Sequence, residues 1–256
     1  MSGRTPPREW NAGTYHVVAT PHLDWGAEVI ARLELSGKET VLDAGCGTGR
    51  VTRMLLERLP RGRVLAVDAS EAMVRRAREE LGARATVWRC DLLELSLDDP
   101  VDAVVSTATF HWIADHEALF GRIHAALRRG GQFVAQCGGT GNTAGVAAVL
   151  DQVGVEEPFA PFVGGWRGPW NFVGPEETAV RLEAAGFEGV ECWLQEWPVA
   201  PQRPREFMET VILGAHLDRL PKPLHAQYID RVSAAMPDPP VLDYVRLNLV
   251  ARRPER

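Results

Sequence analysis

A chain of 256 residues, 45% of them hydrophobic, is long enough for one sizeable α/β domain with insertions and too short for two full enzymes. Its formal charge of −6 leaves no basic footprint for a nucleic-acid backbone, so a small-molecule partner is expected and nucleic acid is not. No apolar run approaches the roughly 20 residues that span a bilayer, and MSGRTPPREW lacks a signal peptide's apolar centre, so a cytoplasmic protein without a membrane partner is expected.

Taken in chain order, residues 1–30 read as a helical cover, residues 31–199 and 241–256 as the core, and residues 200–240 as a helical lid inserted between the last two strands. The first strand, Thr40–Ala44, runs into the sequence VLDAGCGTG (Val41 to Gly49), where Gly45, Gly47 and Gly49 let the backbone bend into a helix, Arg50–Arg58, beneath a ligand. A dinucleotide fingerprint is GxGxxG; this is DxGxGxG, with Asp43 where phosphate would be repelled and a cation welcomed. A nicotinamide dehydrogenase is therefore disfavoured. The second strand, Arg63–Asp68, ends in another acid roughly 20 residues on, where doubly wound folds place a ribose-binding carboxylate. Ser70 and Glu71 follow, so Asp68 also reads as a helix cap.

Helix Ser70–Leu81 carries Met73, and strand Ala85–Cys90 leads to Asp91 and Leu92. The fourth strand, Asp102–Thr107, delivers Thr107, Ala108 and Thr109 to the carboxyl edge of the sheet, where open α/β folds bind ligands, with His111 and Trp112 next. Helix His116–Leu127 and a tight Gly130-Gly131 turn precede a fifth strand, Gly131–Cys137. The stretch 156–171, rich in Pro, Gly, Phe and Trp, reads as an ordered aromatic loop over a cleft and holds Trp166 and Trp170. A helix at Pro175–Ala185 and strands at Val190–Val199 and Tyr244–Ala251 complete seven strands. Cys46, Cys90, Cys137 and Cys192 have no metal-ligand spacing, so neither a disulfide nor a metal is expected.

The glycine loop with its two acids resembles motif I and the following strand of the class I S-adenosylmethionine (SAM) methyltransferases. The runs WNAGTYHVVATPHLDWG, VDASEAMVRRAR, FHWIADHEALF, PWNFVGPEET and YVRLNLVARR extend the resemblance to the trans-aconitate methyltransferase group over nearly the whole chain. The resemblance implies a Rossmann-like, doubly wound, seven-stranded and mostly parallel sheet whose last strand is antiparallel. It implies a SAM site, vacated as S-adenosylhomocysteine (SAH), in which Asp43 faces the ammonium group and Asp68 the ribose. Tyr15, Ala44, Gly45, Gly47, Gly49 and Thr107 belong to the same site. So do Ala69, Met73, Asp91 and Leu92, the last two meeting adenine; Met73 reads equally as core filler and Asp91 as a turn residue.

Related juvenile-hormone-acid methyltransferases hold the accepting carboxylate with the tryptophan of the same HW dipeptide, matched by Trp112, and with a glutamine where this chain has His22. The implied acceptor site is Trp112 and His22 with Trp166 and Trp170, and His111, Trp112 and His22 are the candidate catalytic residues. Two roles stay open for the histidines: donors to a carboxylate, which needs no base, or a general base for a phenol, amine or carbon acceptor. The absence of an Asn-Pro-Pro-Tyr signature argues against base methylation. A noncatalytic SAM-binding sensor or partner subunit is the alternative of a different class, and a monomer or homodimer is expected.

Overall fold

The computed structural model describes residues 9–10, 12–18 and 21–256. Two helices, α1 (Ala12–Val18) and α2 (Pro21–Ala31), lead into β1 (Thr40–Ala44), after which α3 (Arg50–Arg58), β2 (Arg63–Asp68), α4 (Glu71–Leu81), β3 (Thr86–Arg89) and β4 (Val101–Thr107) alternate. Next come α5 (His116–Ala126), β5 (Leu127–Gly138), α6 (Ala144–Gly154), α7 (Ala160–Val163), α8 (Pro175–Ala184) and β6 (Glu188–Glu196). Between β6 and β7 (Val245–Arg252) lie α9 (Pro204–Phe207), a π-helical turn (Met208–Ile212), α10 (Gly214–Leu217) and α11 (His225–Ala235).

The strands form one sheet in the order β3-β2-β1-β4-β5-β7-β6, parallel from β3 to β5, with β7 antiparallel to both β5 and β6. This is the Rossmann-like sheet implied by the sequence. Its central strands are buried on both faces, which is why they read as continuous apolar runs rather than alternating ones. The pleat divides them: Val41, Val105 and Val134 pack with Val29, Ile30 and Leu55 from α2 and α3, while Leu42, Val104 and Phe133 pack with Phe120, Ile123 and Leu182 from α5 and α8. The chain reverses its winding between β1 and β4, so their carboxyl ends open a crevice at the switch point.

Several local expectations need correction. α6 was not expected: AGVAAVLDQVG offers little polar contrast, and its helical stripe of Val146, Leu150 and Val153 emerges only when packed. β5 begins at Leu127, and Gly130 (φ 70°) sits in an irregularity of its pairing with β4 rather than in a turn ahead of the strand. β6 stops at Glu196, ahead of Pro198, leaving Val199 as an isolated bridge to Leu242. A further apolar layer joins α6 to Phe207, Leu213, Leu217, Tyr228 and Val232 of the segment between β6 and β7, with Trp25 of α2 at its inner end. No helix among the described residues is long and apolar enough to cross a membrane.

Candidate active site

The glycine loop follows β1 and hangs from β2. The amides of Gly45 and Cys46 both donate to the Val67 carbonyl at 2.8 Å, and the Gly47 amide donates to Asp68 Oδ2 at 2.9 Å. Gly45 (φ 91°) passes so close to Thr109 that a Cβ would overlap its side chain. Gly47 (φ 54°) faces open space where a Cβ would meet nothing within 4 Å. Asp68 Oδ1 accepts from the Ser70 amide at 2.9 Å, and Ser70, not Asp68, caps α4 by accepting from the Met73 amide. Burial raises the Asp68 carboxyl above the usual range against the pull of these two amides.

Asp43 is buried at the end of β1, where its Oδ2 accepts the Thr52 hydroxyl at 2.6 Å. Burial pushes its carboxyl up to about 6, opposed by that hydrogen bond and reinforced by the charge of Asp68. A buried acid with one hydroxyl donor is a poor home for a negative charge and a good one for a charge that a cationic ligand neutralises.

Asp43, Gly45, Gly47, Tyr15, Thr107 and Ala108 line one cavity of about 470 Å³, open to solvent. Thr107 Oγ1 is buried there without a hydrogen-bond partner, a polar atom that a ligand would satisfy. Cys46, Thr48 and Arg50 complete the polar side of this wall. His16 Nδ1 contacts Thr48 Oγ1 at 3.1 Å, behind the loop; burial, then the charges of Arg76 and Arg50, lowers its titration. Ala44, Gly49, Asp68, Ala69, Met73, Asp91 and Leu92 do not line this cavity. Gly49 packs α3 against Leu81 of α4, the Ala44 carbonyl accepts the Ser106 hydroxyl, and the Ala69 carbonyl accepts from Arg89. Met73 and Leu92 are buried, and the Asp91 carboxylate accepts from the Leu93 amide at 3.0 Å.

A second cavity, of about 440 Å³ including its mouth, shares Tyr15 and Ala108 with the first. Trp112, Trp170 and Phe172 give it aromatic walls, with the Trp170 and Phe172 rings stacked at 6.0 Å and Trp10 edge-on to Trp112 at 5.1 Å. The non-glycine residues with positive φ among those described, Ala108 and Thr143, both line it, and left-handed backbone of this kind is held in place only by a structure that over-determines it. His111 lines it too, almost wholly buried, and its Nδ1 receives the Gly138 amide at 3.2 Å. An amide only donates, so Nδ1 carries no proton and the neutral ring holds its hydrogen on Nε2.

The sequence reading missed Arg246. It enters from β7 with its side chain buried, the guanidinium carbon 4.0 Å above the Trp25 ring and Nε donating to Gln136 Oε1 at 3.3 Å. Nη2 has no hydrogen-bond partner, no carboxylate among the described residues pairs with the group, and burial lowers its titration to about 10. Tyr244, two residues earlier, lines the same cavity with a buried hydroxyl that likewise lacks a partner. The available signal was an arginine amid the apolar run YVRLNLVA, but its isolation depends on distant parts of the chain. Trp166 lies outside the cavity, edge-on to His216 at 4.8 Å with the Arg219 guanidinium 4.6 Å from its ring. His22 sits on α2, and its side chain lies outside the described residues.

The methyltransferase-domain family matches residues 41–131, the segment from β1 into β5 that builds the glycine loop. The chain is 28% identical over 257 residues to the trans-aconitate 2-methyltransferase of Variovorax paradoxus, covering 96% of this chain and 98% of the relative. It is 30% identical over 189 residues to the uncharacterized methyltransferase C70.08c of Schizosaccharomyces pombe, covering 71% and 72%. Its fold is similar to that of the Haemonchus contortus phosphoethanolamine N-methyltransferase 2 solved with SAM, at a TM-score of 0.61 and 20% identity, over 96% of this chain and 57% of that one.

Proposed function

The chain belongs to the class I SAM-dependent methyltransferases, and on that premise we propose that it methylates a carboxylate oxygen of a small organic acid, as a cytoplasmic enzyme. When bound, SAM supplies an electrophilic methyl carbon. The buried Asp43, the open face of Gly47 and the unpartnered Thr107 hydroxyl suit the first cavity to its methionine end, with Asp68 reserved for the ribose. Gly47→Val puts a branched side chain into that open space at a positive φ, and is expected to weaken SAM binding at least about 10-fold by calorimetry while the circular dichroism spectrum stays unchanged.

The observation that carries the carboxylate reading is the state of His111. A phenol, amine or carbon acceptor must lose a proton, whereas a carboxylate arrives with its lone pair free. His111 presents Nε2–H and has spent Nδ1 on the Gly138 amide, so it donates where a base would have to accept. Neither Asp nor Glu lines the second cavity among the described residues. Trp112 supplies an indole N–H and an aromatic wall, and the π-helical turn brings Val211 to the same cavity, consistent with a lid formed by residues 200–240. What remains for the site is alignment and exclusion of water.

The test is a pH profile at saturating SAM. With an acid as acceptor, kcat/KM is expected to stay flat from about pH 6.5 to about pH 8.5, because no histidine has to lose a proton. Trp112→Phe is expected to lower it about 10-fold through the lost donor, with SAM affinity unchanged. A limb near neutrality that His111→Gln abolishes would establish a histidine base and overturn the carboxylate reading.

A further inference from the structure

The second cavity is built around a cation without an anion. Arg246 is buried, and its fixed contacts include one long hydrogen bond to Gln136, the face of Trp25 and, at 6.0 Å, the Tyr244 ring. Gln136 is itself held by Asn248, whose Oδ1 also receives Arg32 at 2.8 Å, and Arg32 is paired with Glu28 at 3.0 Å. The chain thus holds the guanidinium through Gln136, itself backed by Asn248, Arg32 and Glu28, while leaving Nη2 unanswered. A charge so buried is tolerated when a ligand completes it, because removing it from water costs several kcal/mol that only a counter-charge and hydrogen bonds repay. The Tyr244 hydroxyl, also buried and unanswered, belongs to the residue just ahead of β7, whose ring centre lies 6.0 Å from the guanidinium carbon, so two unanswered donor groups and one positive charge line the same cavity.

We propose that Arg246 and Tyr244 anchor the carboxylate of the acceptor, and that the acceptor is a monocarboxylic acid with a flat, apolar body rather than a polycarboxylate. The inference rests on the carboxylate reading above and goes further in naming the anchor and the substrate class. The unanswered Nη2 gives a charge-assisted hydrogen bond to a carboxylate oxygen, and the phenol hydroxyl adds a second donor. No other Arg or Lys lines the cavity among the described residues, so a second or third carboxylate would be buried against Trp112, Trp170 and Phe172 without a cationic partner. Those rings instead offer flat apolar surface to an aryl or unsaturated chain. Methylation removes the charge that Arg246 holds, so the ester product binds less tightly than the acid that formed it.

Equilibrium calorimetry on the full chain saturated with SAH tests this without turnover. The probes are 3-phenylpropenoate, 2-hexenoate, the methyl ester of 3-phenylpropenoate, and trans-aconitate. At least one monocarboxylate is expected to bind, with its ester and trans-aconitate each about 100-fold weaker. Arg246→Met is expected to weaken the monocarboxylate about 100-fold and leave the ester and SAH unaffected; Tyr244→Phe is expected to cost about 10-fold in the same pattern. Because Met replaces an unpaired buried charge, the melting temperature of the ligand-free variant is expected to hold or rise, which separates loss of the anchor from loss of the fold. Equal binding of the acid by parent and Arg246→Met overturns the proposal, as does tighter binding of trans-aconitate or binding of neither monocarboxylate. Acid binding that depends on Arg246, followed by methyl transfer to some other atom of that acid, keeps the anchor and removes the carboxylate as methyl acceptor.

Discussion

Asp68→Ala is expected to lower SAM affinity by about 100- to 1,000-fold while the protein stays folded. The carboxylate does two things that the variant loses together. It accepts the Gly47 and Ser70 amides, at 2.9 Å each, tying the glycine loop of β1 to the end of β2. In the proposed SAM site it also receives ribose hydroxyls, and hydrogen bonds to a charged group are worth about 1.5–3 kcal/mol each. The fold survives because the sheet register between β1 and β2 is set by backbone pairing, and because α4 keeps its Ser70 cap, reinforced by Glu9, whose carboxylate receives the Ser70 hydroxyl at 2.7 Å. Calorimetry with SAH and a thermal melt check both halves. A folded Asp68→Ala that binds SAH as the parent does would reduce Asp68 to an organiser of the loop.

Asp43→Asn is expected to separate stability from binding in the opposite sense. Burial lifts the Asp43 carboxyl from an ordinary value near 3.8 to about 6, so at neutral pH the ligand-free fold carries an ionised group that it disfavours by about 3 kcal/mol. The folded state holds this proton more tightly than the unfolded chain does. Stability of the ligand-free parent therefore falls as pH rises from about 4 to about 6, and this contribution is flat above that range. Asparagine can still accept the Thr52 hydroxyl and has no charge to desolvate, so the variant is expected to gain on the order of 1–3 kcal/mol at pH 7 and to lose that pH slope. Its SAM affinity is expected to drop about 100-fold, because the ammonium group loses its counter-charge. In the parent, SAM affinity is expected to rise with pH up to about 6 and to level off as Asp43 ionises. Melts across pH and calorimetry at pH 5 and pH 7 read both effects; a destabilised Asn variant with parental SAM affinity would assign Asp43 a structural role alone.

The parts of this molecule that were legible in the sequence are those whose signals are local. A strand buried on both faces, a glycine that must take a positive φ, and an acid at a strand end each carry their meaning within a few residues, which is why β1, β2, β4 and the loop around Gly47 could be read directly. α6 could not, because its apolar stripe gains contrast only against α11 and Trp25. The tautomer of His111 was unreadable for the same reason: the amide that bonds its Nδ1 belongs to Gly138, 27 residues further on and in β5. Arg246 is the strongest case. In YVRLNLVA it looks like a solvated arginine of an edge strand, yet β7 is interior to the sheet, flanked by β5 and β6, and the residue's significance lies in the carboxylate it does not meet.

The most direct measurement follows methyl-labelled SAM incubated with the pure protein and a panel of aryl and unsaturated monocarboxylic acids, phenols and amines, with each labelled product then exposed to mild alkali. Methyl esters hydrolyse under that treatment and release labelled methanol, whereas N-methyl, C-methyl and ether products do not. Label recovered as methanol from acid acceptors alone is the predicted result. Label retained on an alkali-resistant product, made from a phenol or an amine, would contradict it.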